Sequence, residues 1–265
     1  MERTRRQATR TRGARPLRLK SIVAAIALVL QLAFGLAADA NEAVDLELVL
    51  LADASGSIDE AEIQFQRQGY ADAITHPQVI GAITSGPLRR IALIYVEWGD
   101  DTSQEVIVPW SIIDGATSAR EFAKALRATP RRASGFNAIG SALFKAQSLI
   151  ESNAIEGTRK VIDFSGDSAN NWSGIPIEAG RAAALSRGIT INGLAILCRA
   201  AECSGRPIEY DLEAAFRQEI IGGPGSFVVT VDDKASFAEA VRRKLILEIA
   251  VRRGEPRLQV GLIPR

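Results

Sequence analysis

Histidine, cysteine and methionine are all scarce in this chain of 265 residues, which has one histidine, two cysteines and one methionine. The single histidine, His76, directly precedes Pro77, where we expect a surface position at a helix end. Cys198 and Cys203 lie far from His76 in the sequence, so we do not expect them to bind a metal. The chain also lacks a Gly-x-x-x-x-Gly-Lys loop, a Gly-x-Gly-x-x-Gly turn after a strand and a His-Glu-x-x-His helix, which are the signals of common nucleotide and zinc sites.

The N-terminal segment has the pattern of an export signal. Eight basic residues lie within residues 1–20, and residues 22–38 form a nearly uninterrupted apolar run. The triplet Ala38-Asp39-Ala40 then has the small-x-small pattern of a cleavage site. We therefore predict a signal peptide over residues 1–40 and a periplasmic or secreted protein. An uncleaved membrane anchor is the alternative, although the apolar run is slightly shorter than the roughly 20 residues of a membrane span.

Export changes what the charges and the cysteines indicate. Residues 41–265 carry 24 basic and 29 acidic side chains, because the basic excess is confined to the export segment. Nothing in this balance favours binding to nucleic acid, whereas a mildly acidic domain suits cations. In an oxidising compartment, Cys198 and Cys203 are predicted to form a local disulfide.

Strands and helices alternate along residues 41–251, which we predict to form one domain followed by a tail at 252–265. The predicted strands are 44–52, 90–98, 104–110, 159–165, 189–197 and 227–231, and the predicted helices are 57–75, 117–128, 137–152, 176–187, 211–221 and 234–250. Apolar strands joined through helices favour an α/β fold, a doubly wound, mostly parallel six-stranded sheet with helices on both faces. The hairpin of the second and third strands predicts one antiparallel edge strand.

Three oxygen-bearing side chains follow the first predicted strand at alternate positions: Asp53, Ser55 and Ser57. A carboxylate and two hydroxyls spaced in this way can converge on one point, and Gly56 allows the loop to turn tightly. Such hard donors suit Mg²⁺, Mn²⁺ or Ca²⁺ better than zinc. The alternative is a capped strand–helix turn, in which these side chains only bind backbone amides.

This pattern resembles the Asp-x-Ser-x-Ser metal-ion-dependent adhesion site of von Willebrand factor A (vWA) domains. The family has a second loop with a Thr three residues before a Gly that opens a helix. Here Gly140 matches that Gly, and Asn137 stands at the Thr position. The family's third loop contributes an Asp, usually in Thr-Asp-Gly, and Asp167 fits it between Gly166 and Ser168. The segments 95–99 and 166–171 are similar to an exported bacterial branch of that superfamily.

The resemblance implies a metal-assisted protein-binding domain and no enzymatic activity. The metal, Mg²⁺ or alternatively Mn²⁺ or Ca²⁺, would be held by Asp53, Ser55, Ser57, Asn137 and Asp167. An Asn amide oxygen is also a hard donor, so the change at position 137 is compatible with metal binding. A protein partner would supply a carboxylate to the open coordination position.

Two other functions are compatible with the sequence. Gly166-Asp167-Ser168 also matches the nucleophile motif of some hydrolases, which could use Ser168 and Asp167 or the metal itself. That motif belongs after a first strand and needs a later histidine, which the chain lacks. A structural domain with a vestigial site is the other alternative. Trp98 and Trp172 are expected near the same strand ends, either as a recognition rim or as packing residues.

Overall fold

The computed structural model describes residues 41–197, 209–231 and 234–250 of the chain. The predicted signal peptide, the predicted Cys198–Cys203 disulfide and the tail at 252–265 lie outside the described residues and stay predictions. Within the described ranges, no helix has the length and apolar character needed to cross a membrane.

Strands and helices alternate in the predicted order. The elements are β1 (Glu42–Val44), β2 (Glu47–Asp53), α1 (Glu60–Thr75), α2 (Pro77–Thr84), β3 (Ile91–Trp98), β4 (Gln104–Ile113), α3 (Ala116–Ala128), α4 (Ile139–Glu151), β5 (Ile155–Gly157), β6 (Lys160–Gly166), α5 (Ile177–Ser186), β7 (Thr190–Ile196), α6 (Leu212–Ala215), β8 (Val228–Val231) and α7 (Lys234–Ile249). A π-helical turn at Phe216–Ile220 directly follows α6. All the predicted strands and helices are present within a few residues of their predicted bounds, and the structure adds β1, β5 and α2.

The main sheet has six strands in the order β4-β3-β2-β6-β7-β8. All neighbouring strands are parallel except β3 and β4, so the predicted single antiparallel edge is confirmed. The short strands β1 and β5 pair separately, in parallel. The direction of winding reverses between β2 and β6, and this places the carboxyl ends of these two strands side by side, the usual position of ligand sites in such sheets.

Successive residues of β2 pack on opposite faces of the sheet, as expected for a buried strand. Leu48 and Leu50 belong to a core that α1, α2, α3 and α7 cover. Val49 and Leu51 belong to a second core that α4, α5 and α6 cover. The prediction of helices on both faces is therefore confirmed, and the central strands are inaccessible except at their ends.

The helix α2 was not predicted because Pro77 was interpreted only as the end of the preceding helix. Proline also fits the first position of a helix, where its missing N–H would have no intrahelical partner. His76 caps α2, its Nδ1 accepting a hydrogen bond from the backbone N–H of Gln78 at 3.2 Å. His76 thus lies at a helix end, as predicted, and its Nε2 is 3.0 Å from Nη1 of Arg242.

A buried polar cluster joins α7 to the middle of the sheet. Nζ of Lys244 lies 2.6 Å from Oδ1 of Asp163 on β6 and 2.5 Å from Oε1 of Glu248. Asn192 on β7 donates a hydrogen bond to the same Glu248 oxygen at 3.0 Å. This cluster explains the acidic residue inside β6. Burial, together with the charge of Asp163, raises the pKa of Glu248 to about 8, so this carboxyl keeps its proton at neutral pH.

We predict that Glu248→Gln makes the stability of the domain less dependent on pH. Because the folded-state pKa of Glu248 lies above its unfolded value, the folded state binds the extra proton between about pH 5 and pH 8. The wild type therefore loses stability as the pH rises through that window, by up to about 1.4 kcal/mol per pH unit. The free energy of unfolding of both proteins is measured in EDTA across the window. The difference, variant minus wild type, should increase as the pH rises.

The matched control is Glu121→Gln, which removes one carboxylate from the exposed face of α3. Its stability curve should run parallel to that of the wild type. A parallel curve for Glu248→Gln as well would show that Glu248 is ionised in the folded protein at neutral pH.

Candidate metal centre

Asp53 is the last residue of β2 and its side chain is completely buried. Oδ1 accepts a hydrogen bond from the backbone N–H of Ser55 at 2.8 Å, which holds the following loop in a tight turn. Oδ2 is buried and accepts no hydrogen bond from the described residues. A carboxylate oxygen left without a partner away from water is costly, and it commonly marks a position where a missing ligand binds.

The two serines of the motif and Asp167 lie beside this carboxylate. The hydroxyls of Ser55 and Ser57 are 3.3 Å apart. Asp167 follows β6, and its Oδ1 is likewise buried without a hydrogen-bond partner among the described residues. The structure therefore brings together four of the five predicted ligands, contributed by the ends of two neighbouring parallel strands.

Burial disfavours the charged form of both carboxylates. It raises the pKa of Asp53 well above its ordinary value, and the negative charge of Asp167 raises it further. Burial also raises the pKa of Asp167, and the charge of Glu62 adds to this, whereas hydrogen bonds with the Ser57 and Asp53 side chains lower it. Neither carboxylate has a lysine or arginine side chain within ion-pair distance in the described part of the chain. A divalent cation would remove this repulsion.

Asn137, the fifth predicted ligand, connects the loops on either side of it. Its backbone carbonyl accepts hydrogen bonds from the N–H groups of Trp172 at 2.7 Å and Ser173 at 3.1 Å, in the loop that begins with Asp167. Two residues earlier, the carbonyl of Gly135 accepts the N–H of Gly56 at 2.8 Å.

The side chain of Asn137 is almost buried and does not cap α4. The N-cap of that helix is Ala138, which gives no side-chain hydrogen bond. Oδ1 of Asn171 accepts the Gly140 N–H at 3.2 Å in its place. The Asn137 amide is therefore not committed to capping this helix.

Residues that the sequence did not single out hold the Asp53 loop in place. The guanidinium of Arg131 donates to the carbonyls of Ile58 at 2.9 Å and Ala54 at 2.7 Å. Nε2 of Gln66 donates to the carbonyl of Asp53 at 3.2 Å. These donors bind backbone oxygens, so they shape the loop without neutralising its carboxylate.

A buried ion pair positions the segment that leads to Arg131. Arg67 on α1 makes a bidentate pair with Glu97 on β3, with N–O distances of 2.7 and 2.9 Å. The same guanidinium donates to the carbonyl of Thr129. The sequence contained a signal for the burial of Arg67. It follows the buried Ile63 by four residues, so the helical repeat places it on the buried face of α1.

Trp98 lies directly under the centre, where it packs instead of forming a recognition rim. It is completely buried, stacks on Phe164 with ring centroids 5.2 Å apart, and donates its indole N–H to the Ser165 carbonyl. A Cβ at Gly166 would lie 3.2 Å from Oδ2 of Asp53 and 3.3 Å from Trp98. A larger residue at position 166 would therefore require one of these side chains to move by a few tenths of an ångström.

The geometry gives the hydrolase alternative no histidine base. The Ser168 hydroxyl accepts the backbone N–H of Asn170 at 3.0 Å. His76, the only histidine of the chain, caps α2 and contacts Arg242. Across the described ranges, no three His, Cys, Asp or Glu side chains are grouped as a metal site. The side chains that the structure groups at this edge are instead the carboxylates of Asp53 and Asp167 and the hydroxyls of Ser55 and Ser57.

A family model described as a protein of unknown function, DUF1194, matches residues 43–253, which is most of the chain. The chain belongs to this family. A search of curated proteins gives no match.

Solved structures share the fold at low sequence identity. A von Willebrand factor type A protein from Catenulispora acidiphila is 17% identical, with a TM-score of 0.54, over 78% of this chain and 43% of that one. PTMP1 from the mussel byssus, with a zinc-occupied MIDAS motif, is 15% identical, with a TM-score of 0.55, over 79% and 48%. The pilus adhesin SpaC from Lactobacillus rhamnosus GG is 14% identical, with a TM-score of 0.55, over 78% and 30%. The domain therefore has the vWA fold, and it spans less than half of each of these longer chains.

The repulsion between the carboxylates predicts that Asp53→Asn stabilises the metal-free protein. The substitution removes one buried charge and leaves an oxygen that can accept the Ser55 N–H. We expect a gain of roughly 1 kcal/mol at pH 7 in EDTA, a size typical of substitutions that relieve a functional site. Because the pKa values of both carboxyl groups are raised, lowering the pH protonates them and removes the repulsion in the wild type. The stability gain of the variant should therefore shrink towards about pH 4. Thermal unfolding at several pH values measures it, and lower stability of the variant at pH 7 would contradict it.

Proposed function

We propose that this domain binds a divalent cation at the carboxyl ends of β2 and β6 and uses it to hold a protein partner outside the cytoplasm. The cation would be held by Asp53, Ser55, Ser57, Asn137 and Asp167. The partner would contribute a carboxylate to a coordination position that the domain leaves open. The proposed role is binding and not catalysis.

One observation carries the proposal, namely the pair of buried carboxylate oxygens without partners, Oδ2 of Asp53 and Oδ1 of Asp167. Two ionised carboxylates balance the charge of a divalent cation, and the neighbouring hydroxyls and amide are neutral donors of the hard type. A capped turn accounts for the Ser55 N–H on Oδ1 of Asp53. It does not account for the second oxygen of Asp53 or for Oδ1 of Asp167, which have no hydrogen-bond partner among the described residues. The donor set favours Mg²⁺, with Mn²⁺ and Ca²⁺ as alternatives.

The similar structures support the same role. PTMP1 holds zinc at a MIDAS motif, and SpaC is a pilus adhesin. We propose an exported location on the basis of the N-terminal segment, which has the pattern of a signal peptide. Without a cation, two buried acids and the nearby Glu62 would repel a partner's carboxylate, so binding of the partner should depend on the metal.

Titration calorimetry with Mg²⁺, Mn²⁺, Ca²⁺ and Zn²⁺ tests the metal site. We expect a single site in the wild type, no binding in Asp53→Asn, and unchanged binding in the exposed control Glu121→Gln. Affinity should weaken as the pH falls, because protons compete for carboxylates whose pKa values are raised. Metal binding that survives in Asp53→Asn would contradict the assignment. The absence of any binding heat in the wild type would favour a structural domain with a vestigial site.

A second prediction concerns Asn137. Asn137→Ala should weaken Mg²⁺ binding by roughly 10- to 100-fold, the usual cost of losing a ligand or orienting partner. Because the side chain does not cap α4, the free energy of unfolding in EDTA should change little. Asn137→Thr, which restores the oxygen donor of the family pattern, is the matched control and should retain binding. Lower stability of Asn137→Ala with unchanged affinity would mean that Asn137 is a structural residue only.

A further inference from the structure

The exposed apolar side chains of this domain are concentrated at one place. The described residues include seven large hydrophobic side chains that are exposed. Four of them lie on segments at the carboxyl edge of the sheet, and a fifth, Phe144, lies farther along α4. The five residues, which we call the apolar collar, are Phe136, Phe144, Trp172, Ile175 and Tyr210. Single exposed hydrophobic residues are ordinary, whereas a cluster of them commonly marks an interaction site.

Hydrogen bonds hold together the chain segments that carry the collar residues. Phe136 and Trp172 lie on adjoining segments, because the Ser173 hydroxyl donates to the Phe136 carbonyl at 3.3 Å and the Trp172 N–H to the Asn137 carbonyl. The Ile175 N–H donates to the Ser141 hydroxyl at 3.1 Å, one turn before Phe144 on α4.

Tyr210 completes the surface, its hydroxyl accepting the Ala169 N–H at 2.9 Å. Phe136 is 75% exposed and Trp172 is 70% exposed, so neither side chain is needed to fill the core.

Two residues of the collar lie in the loops that carry proposed metal ligands. Phe136 directly precedes Asn137, and Trp172 belongs to the loop that begins with Asp167. The start of α1 adds the acids Asp59, Glu60 and Glu62 beside the Asp53 loop. A bound protein segment thus meets a cation at the centre, an apolar surface on one side and acidic side chains elsewhere.

We propose that the collar binds apolar side chains of the same partner segment whose carboxylate reaches the metal. This inference rests on the proposed metal-dependent function and adds the chemistry of the partner. The recognised segment carries an Asp or Glu with an aromatic or large aliphatic residue a few positions away. Exposed tryptophan and phenylalanine suit this role, since rigid aromatic side chains account for much of the affinity of protein interfaces.

Selection from a random peptide library displayed on phage tests this recognition. The immobilised bait is the full protein in the form that is isolated from the cell. Selection in Mg²⁺ should enrich peptides that combine one carboxylate with nearby aromatic, Leu or Ile residues. The affinity of a synthetic copy of an enriched peptide is then measured with Trp172→Ser and Phe136→Ser. We expect binding at least 10-fold weaker in either variant, while the affinity for Mg²⁺ alone is unchanged. The matched control is Leu88→Ser, an exposed apolar residue at the opposite edge of the sheet, which should bind the peptide as the wild type does.

The outcomes separate the collar from the metal site. Enrichment of acidic peptides without an apolar residue, or equal affinity in the collar variants, overturns the role of the collar and leaves the proposed function intact. Peptides that bind equally in EDTA or to Asp53→Asn overturn both. A failure to enrich any peptide, with Mg²⁺ binding intact, also overturns the collar proposal. A dimer of the wild type that Trp172→Ser dissociates would show that the collar binds a second copy of this chain instead.

Discussion

The arrangement of the whole centre depends on two like charges that the sheet topology forces together. Strands β2 and β6 are parallel neighbours, so Asp53 and Asp167 emerge side by side at the same edge. The cationic side chains nearby do not relieve them. Arg131 donates to backbone carbonyls, and Arg67 is paired with Glu97. The protein thus holds the loops rigidly while leaving the charge of the centre uncompensated, as expected of a site shaped for a cation.

Much of the fold could be predicted because its signals are local and repeated. Continuous apolar strands such as β3 indicate a sheet buried on both faces, and their alternation with helices limits the topology to a few possibilities. The elements that were missed carry no such signal. Strands β1 and β5 have three residues each, too few to show a period. Pro77 is equally compatible with the end of one helix and the start of the next.

Part of the site could be predicted from one rule, namely that the carboxyl ends of parallel strands lie at the same edge of the sheet, where ligands bind. That rule points to Asp53, and the resemblance to vWA domains added Asp167, whereas the pairing of β2 with β6 that brings them together comes from the structure. The contacts that support them join residues far apart in the chain, as Arg131 does with Ala54, and no local pattern reports them. The same limit applies to Asp163, whose partner Lys244 lies on the last helix. The two tryptophans, for which the sequence left a recognition rim and packing open, differ in the structure, since Trp98 is buried in the core and Trp172 is exposed.

The pairing of Arg67 has a consequence for how the protein tolerates change. Its guanidinium joins α1, β3 and the segment that enters the Arg131 loop, all from a position with no access to solvent. Loss of one partner would leave an uncompensated charge in the core and free the loop at the same time. A survey of random substitutions should therefore find positions that resist replacement on the hidden side of α1, far below any surface that a partner touches. Arg67 would then affect the centre from a position too deep for contact with any ligand.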